Sequence, residues 1–169
     1  MFNHVKQDLK NYQGDWAAQG FWVMVVYRFG RWRYTINNVL LRKICSFVYK
    51  FLYKLVQILT GIEMPCEVEV GDNFLIDHFG GIVISGYAKF GDNCRIRNGV
   101  VVGLKNVAEP CAPQIGNNVD IGAGAKILGN IKIGNNVNIG ANSVVLTDVP
   151  DNAIAVGVPA VIKMKKNKS

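Results

Sequence analysis

Histidine is almost absent from this chain: only His4 and His78 occur among 169 residues, which excludes a metal site built from several imidazoles. Threonine is nearly as scarce, at Thr35, Thr60 and Thr147, too few for the outward ladders of an ice-binding surface. Cys45, Cys66, Cys94 and Cys111 show no CxxC spacing, so no metal is expected and reduced thiols in a cytoplasmic protein are. No stretch comes near eighteen consecutive apolar residues, and a transmembrane span is not expected. The N-terminus shows no charged-then-apolar segment with a small-residue cleavage site, so export is not expected either.

What is abundant is a six-residue apolar period. Aliphatic or aromatic residues lead hexads at Val70, Ile76, Ile84, Phe90, Ile96 and Val102, then at Ile115, Ile121, Ile127, Ile133, Ile139 and Val145. Small or branched residues follow four places later, from Ala88 and Cys94 to Ser143 and Val149. Neither a helical face nor a long alternating strand has this period, so the segment reads as a solenoid of short strands and tight turns. Glycine follows many of the leads, at Gly71, Gly91, Gly103, Gly116, Gly122, Gly134 and Gly140. Asparagine fills corners at Asn73, Asn93, Asn117, Asn118, Asn135 and Asn136. Both residue types are expected there because sharp corners demand positive φ.

The net charge of +7 is concentrated at the ends. Residues 1–60 carry nine Lys or Arg against two acids, residues 61–162 six against ten, and four lysines follow at Lys163, Lys165, Lys166 and Lys168. We divide the chain into an N-terminal helical extension (1–60), the solenoid (61–162) and a basic tail (163–169). Within the extension, residues 1–19 predict one short helix at most, and 38–59 predict a stronger one. Leu40, Ile44, Phe47, Phe51, Leu55 and Ile58 recur there at three- and four-residue steps. Two readings of this helix stay open: packing on the solenoid's end or on a neighbouring subunit, or peripheral contact of residues 21–60 with an anionic membrane. No nucleic-acid motif accompanies the basic residues, so nucleic acid is not an expected partner.

The period breaks between Ile76 and Ile84, eight residues where six are expected, and His78 sits in the excess. Imidazole is suited to taking a proton from an attacking hydroxyl near neutral pH. A corner histidine bonded to a backbone carbonyl is the plainer alternative.

Several runs carry a closer resemblance: GIEMPC at 61–66, IDHFGGIVI at 76–84, IGAGAKILGNIKIG at 121–134, IGANSVVLTDVP at 139–150 and VGVPA at 156–160. They resemble the hexapeptide-repeat acyltransferases, most closely the serine acetyltransferase branch. The resemblance implies a mainly β, left-handed parallel β-helix and a homotrimer with sites between neighbours. It implies acetyl transfer from acetyl-CoA, with His78 as general base and Glu63 as the carboxylate that supports it. Asp77 matches a residue that helps hold the acceptor. Gly103 and Leu104 match the segment whose backbone N–H groups lie near the thioester oxygen. Ala123 and Ala141 match small residues lining the coenzyme A channel, and Lys163 with its neighbouring lysines follows the coenzyme-contacting end.

One departure bears on the acceptor. Where the serine enzymes carry Arg-His-Pro, this chain has Cys111-Ala112-Pro113, removing a cation that would meet an amino-acid carboxylate. The sequence here looks more like acetyltransferases of colanic acid and other exopolysaccharides. The expected acceptor is therefore a free or lipid-linked sugar hydroxyl, reached in the cytoplasm or at the inner face of the membrane. Serine O-acetylation and a non-catalytic scaffold are the alternatives, and N-acetylation of an amino sugar stays open.

Overall fold

The structure is a computed structural model that describes residues 1–106, 108 and 110–166. Three helices come first: α1 (Phe2–Asn11), α2 (Gln19–Trp32) and α3 (Val39–Thr60). Asn38 caps α3 by accepting a hydrogen bond from the Leu41 N–H at 3.0 Å, and Gly61, left-handed at φ 64°, ends it.

The chain then winds through five coils. The first holds β1 (Ile62–Glu63), β2 (Glu69–Val70) and β3 (Leu75–Asp77), and the second β4 (Ile82–Ile84), β5 (Lys89–Phe90) and β6 (Arg95–Arg97). The third holds β7 (Val101–Gly103), β8 (Gln114–Ile115) and β9 (Asp120–Ile121), and the fourth β10 (Lys126–Leu128), β11 (Lys132–Ile133) and β12 (Asn138–Ile139). The last holds β13 (Val144–Val145) and β14 (Ala153–Val156), and β15 (Val161–Met164) turns back antiparallel on β14. Stacking gives three sheets: β1-β4-β7-β10-β13, β2-β5-β8-β11 and β3-β6-β9-β12-β14-β15. The expected mainly β parallel solenoid with N-terminal helices is what forms.

The hexad leads are its core. From Ile76 to Val145 each is at most 5% exposed, and Cys94 and the other residues four places on are buried with them. Ser143, the one polar member of that second set, accepts a hydrogen bond from the Gly157 N–H at 3.1 Å. Coil length shows where the regularity fails. Ile84 pairs with Val102 eighteen residues on, but Ile62 pairs with Ile82 across twenty and Val102 with Ile127 across twenty-five. Two further differences emerge at the ends of the pattern. The leads start one hexad earlier, at buried Met64, and Val149 bridges to Ile133 in a lead position because the last coil is two residues short.

The glycines after the leads have a different reason from the one expected. None of Gly71, Gly91, Gly103, Gly116, Gly122, Gly134 or Gly140 has positive φ. Most are there because the next coil passes too close for a side chain: a Cβ on Gly122 would stand 2.5 Å from the Ala141 nitrogen. Asparagines do supply the left-handed corners, at Asn73, Asn93, Asn118, Asn136 and Asn152, with φ of 55–57°. Their side chains hydrogen-bond from coil to coil at 2.9–3.1 Å. Asn117 and Asn135 have another task, accepting from the Asp92 and Asn117 N–H groups of the coil below at 2.8 Å.

The helices pack on the first coil. Tyr27 donates to the Val68 carbonyl at 2.9 Å, and Tyr49 accepts from the Cys66 N–H at 2.9 Å. Arg28 and buried Asp8 tie α2 to α1 at 3.0 Å. Helix α3 meets the protein through Tyr49, Tyr53 and Val56, so within one copy its apolar face does not pack on the solenoid and is turned outward. The four cysteines are free thiols.

Candidate functional site

The site is built where the third sheet hands the chain back to the first. On the regular coils this corner is a ladder: the Gly124 N–H donates to the Asn98 carbonyl and the Asn142 N–H to the Ala123 carbonyl, both at 2.8 Å. On the first coil the same rung is Gly80, whose carbonyl accepts from the Gly99 N–H at 2.9 Å. Asp77 is in register with Arg97, so the two surplus residues are His78 and Phe79. The excess seen in the sequence is thus a bulge of one imidazole and one phenyl, both exposed.

His78 adopts φ 62°, the left-handed region that costs a side-chain-bearing residue about 1–2 kcal/mol. Such strain persists where the surroundings impose it and clusters at functional sites. Glycines at the same corner make room. Gly61, Gly81, Gly99 and Gly124 all have φ of 64–72° and stack coil on coil. A Cβ on Gly61 would stand 3.3 Å from the Gly80 Cα. This contact sets β1 against β4, with Glu63 in register with Val83.

The extension supplies a wall. A cleft of about 220 Å³ is lined by Asp77 and His78 together with Tyr12, Ala18, Gln19 and Gly20. Tyr12 is locked in place: its hydroxyl accepts from the Ile76 N–H at 3.0 Å and donates to the Ile76 carbonyl at 3.3 Å. Burial pushes its phenol well above the ordinary range, so it serves as a neutral hydrogen-bonding post. A larger depression of about 400 Å³ lies by the asparagine ladder, where Asn73, Asn93 and Asn118 already bond to one another.

The carboxylates expected at the site are both engaged. Glu63 accepts from Gln57 Nε2 at 3.0 Å, Gln57 in turn accepts from Lys54 Nζ at 2.9 Å, and no Glu63–His78 hydrogen bond forms among the described residues. Asp77 is paired with Arg95 at 3.2 Å, and Arg97 in the next row forms a bidentate pair with Asp120. Arg97 is held more firmly protonated chiefly by its hydrogen bond to Asp120. Neither arginine was singled out from the sequence, although the R-I-R alternation of a strand with one buried face was visible there.

Ala123 and Ala141 lie on the same corner as His78, two and three coils further on, or roughly 10 and 15 Å at the spacing of stacked strands. Gly103 and Leu104 lie elsewhere, at the corner between the first and second sheets, where the long loop leaves. That loop rejoins the coil at Pro113, whose carbonyl accepts from the Lys89 N–H at 3.2 Å. Cys111 is exposed and Ala112 buried. One side of the prism, about 15–20 Å of extended chain, separates this corner from His78, so a single copy does not gather all these residues into one pocket. Lys163, on β15, is in register with Ile154 of β14. Lys165 donates to the Asn136 carbonyl and to Asn138 Oδ1, each at 2.6 Å, and Lys168 lies outside the described residues.

The comparisons with known proteins agree with this architecture. The family model described as bacterial transferase hexapeptide (six repeats) matches residues 112–147. A serine acetyltransferase of Staphylococcus epidermidis is 36% identical, over 99% of this chain and 81% of its own length. The Escherichia coli protein WcaB, named as a colanic acid biosynthesis acetyltransferase, is 40% identical over 68% of this chain and 72% of its own. A serine acetyltransferase of Synechococcus elongatus is 40% identical over 83% of this chain, but the match spans only 55% of that relative's length. Among solved structures, the serine acetyltransferase of Neisseria gonorrhoeae superposes with a TM-score of 0.82 at 32% identity, covering 99% of this chain and 66% of that one. In sequence along most of its length and in fold, the chain belongs to the hexapeptide-repeat acyltransferases, in the branch that holds the serine acetyltransferases and WcaB.

Proposed function

We propose that the protein transfers the acetyl group of acetyl-CoA to a sugar hydroxyl in exopolysaccharide or capsule biosynthesis, with His78 as general base. The observation that carries this reading is the bulge. It inserts an exposed imidazole, in a strained backbone conformation, into a cleft walled by Asp77, Tyr12 and Gln19. In this reading His78 removes the acceptor's hydroxyl proton as its oxygen attacks the thioester carbonyl carbon. The carbon–sulfur bond then breaks, and the departing thiolate of coenzyme A takes the proton back from the His78 imidazolium. Backbone N–H groups near Gly103 and Leu104 stabilise the oxyanion. Glu63 supports the imidazolium, moving from Gln57 as charge develops, and the small side chains of Ala123 and Ala141 leave a groove thin enough for the pantetheine arm.

The separation of His78 from the Gly103 corner favours copies assembled as a homotrimer of left-handed solenoids, each site completed by a neighbour. Lys163 and Lys166 would meet the phosphates of coenzyme A in this assembly. Such an enzyme would work in the cytoplasm, with residues 21–60 in peripheral contact with the inner membrane face when the acceptor is lipid-linked.

Serine is the second reading, favoured by the names of several relatives. Two features speak for a neutral acceptor instead. Where the serine enzymes carry Arg-His-Pro the loop has Cys111-Ala112-Pro113, so the matching cation is missing, and Asp77, the group that would take an ammonium, is already paired with Arg95. Loss of one charge-assisted contact costs about 1.5–3 kcal/mol, or roughly ten- to a hundred-fold in affinity. The test compares L-serine with hexoses and lipid-linked oligosaccharides at equal acetyl-CoA, reading thiol release. Faster turnover of a sugar is expected; serine turnover at about 10⁴ M⁻¹s⁻¹ or more would return the assignment to serine.

A further inference from the structure

Helix α3 touches the protein with one face and leaves the opposite face bare. Leu40, Ile44, Phe47, Phe51, Leu55 and Ile58 are 42–76% exposed, and their spacing joins them into one continuous strip. A contiguous apolar surface of this kind marks an interaction site, unlike scattered exposed side chains. Lys43, Lys50 and Lys54 run along one edge of the strip, each three or four residues from Phe47, Phe51 or Ile58. No aspartate or glutamate occurs between Asp15 and Glu63, a stretch holding Arg28, Arg31, Arg33 and Arg42 as well as those lysines. Among the described residues, no helix is long and apolar enough to cross a membrane.

We propose that this face of α3 lies in the surface of a bilayer rich in anionic phospholipid. The strip sinks about 5–10 Å to the headgroup–acyl boundary, and the lysines meet the lipid phosphates. Charge selects this occupant over a second copy of the chain, since two such faces would bring lysine rows together with no acid to pair them. The geometry gives the contact a consequence. Gly61 joins α3 directly to the first coil and stacks on Gly80, so the bilayer contact lies on the element that leads into the coil carrying His78. The inference deepens the membrane contact included in the proposed function, and because its measurement involves no turnover it can fail while acetyl transfer stands, and the reverse.

The experiment is co-sedimentation of the full chain with large vesicles of phosphatidylcholine alone or with about a quarter phosphatidylglycerol, at ~0.1 M and ~1 M salt. We expect binding to the anionic vesicles at low salt, at least tenfold weaker without the anionic lipid or at high salt. Lys43→Gln/Lys50→Gln/Lys54→Gln should weaken it about a hundred-fold, and Phe47→Ser/Phe51→Ser at least tenfold. Helical circular dichroism of both variants, whose altered side chains are exposed, shows that the fold is kept. No binding, equal binding to both vesicles, or binding that neither variant weakens overturns the proposal. So does a halving of particle mass by light scattering in Phe47→Ser/Phe51→Ser, which would show that copies of the chain cover the strip.

Discussion

Two corners of the same solenoid are built in opposite ways. Between the second and third sheets, each coil repeats the one below: a left-handed asparagine bonds to the next asparagine, from Asn73 through Asn93, Asn118 and Asn136 to Asn152. Between the third and first sheets no such side-chain ladder forms among the described residues: the corner is mostly glycine and alanine, with Asn98 and Asn142 the exceptions, and the first coil carries two extra residues, His78 and Phe79. The first corner spends its polar side chains on one another and leaves none for a ligand. The second keeps its coil-to-coil ladder in the backbone and leaves its surface small and open, with His78 exposed. In a repeat fold, function is added where the repeat is interrupted.

Excising His78 and Phe79 should separate the corners most sharply. The coil would return to eighteen residues, so the protein should remain folded while acetyl transfer falls to background; loss of the cooperative melt instead would show that the bulge is structural. Next in size is overpacking. Gly91→Ala places a Cβ about 2.9 Å from the Gly116 backbone and should cost about 3 kcal/mol, whereas Gly103→Ala meets nothing nearer than the Ser85 Cβ at 3.9 Å and should cost under about 0.5 kcal/mol. Equal denaturation midpoints for the two would contradict the close-approach account. Asn118→Ala removes two ladder bonds and puts alanine in a left-handed corner, for an expected loss of about 2–3 kcal/mol in urea unfolding with transfer activity kept.

The smallest effect is a pH dependence. Burial pushes the Cys94 thiol up to about 11 from an ordinary value of 9.0. The folded state therefore holds a proton that the unfolded chain releases first. Its stabilising contribution is complete below about pH 9 and is lost as pH rises to about 11, at most about 2–3 kcal/mol. The stability difference between the wild type and Cys94→Ala should shrink across that window; a constant difference would remove the effect.

The core was legible in the sequence because a solenoid writes its period directly: each lead from Ile76 to Val145 is buried. Val149 could not be assigned correctly, since a coil shortened by two residues shifts the phase without changing the residue types. The role of the glycines was misjudged for a physical reason, as composition does not distinguish positive φ from close approach of another coil. Amphipathicity revealed that α3 has an apolar stripe but not that Tyr49, Tyr53 and Val56 would make the contact instead. At the site, His78 and its bulge were readable from spacing. The partners of the carboxylates, Gln57 for Glu63 and Arg95 for Asp77, were not, because those contacts depend on which coil and which helix end come together.

The central claim is that the strained imidazole at the open corner does chemistry and contributes no stability. His78→Gly tests it most directly, because glycine accepts φ 62° without the side-chain penalty. Measured together on one preparation, acetyl-CoA thiol release with the sugar panel should fall by a hundred-fold or more, while unfolding free energy stays level or rises by up to about 1 kcal/mol. Activity within about threefold of wild type, or a loss of stability that accounts for the lost activity, would show that His78 is a structural corner residue and that the catalytic group lies elsewhere.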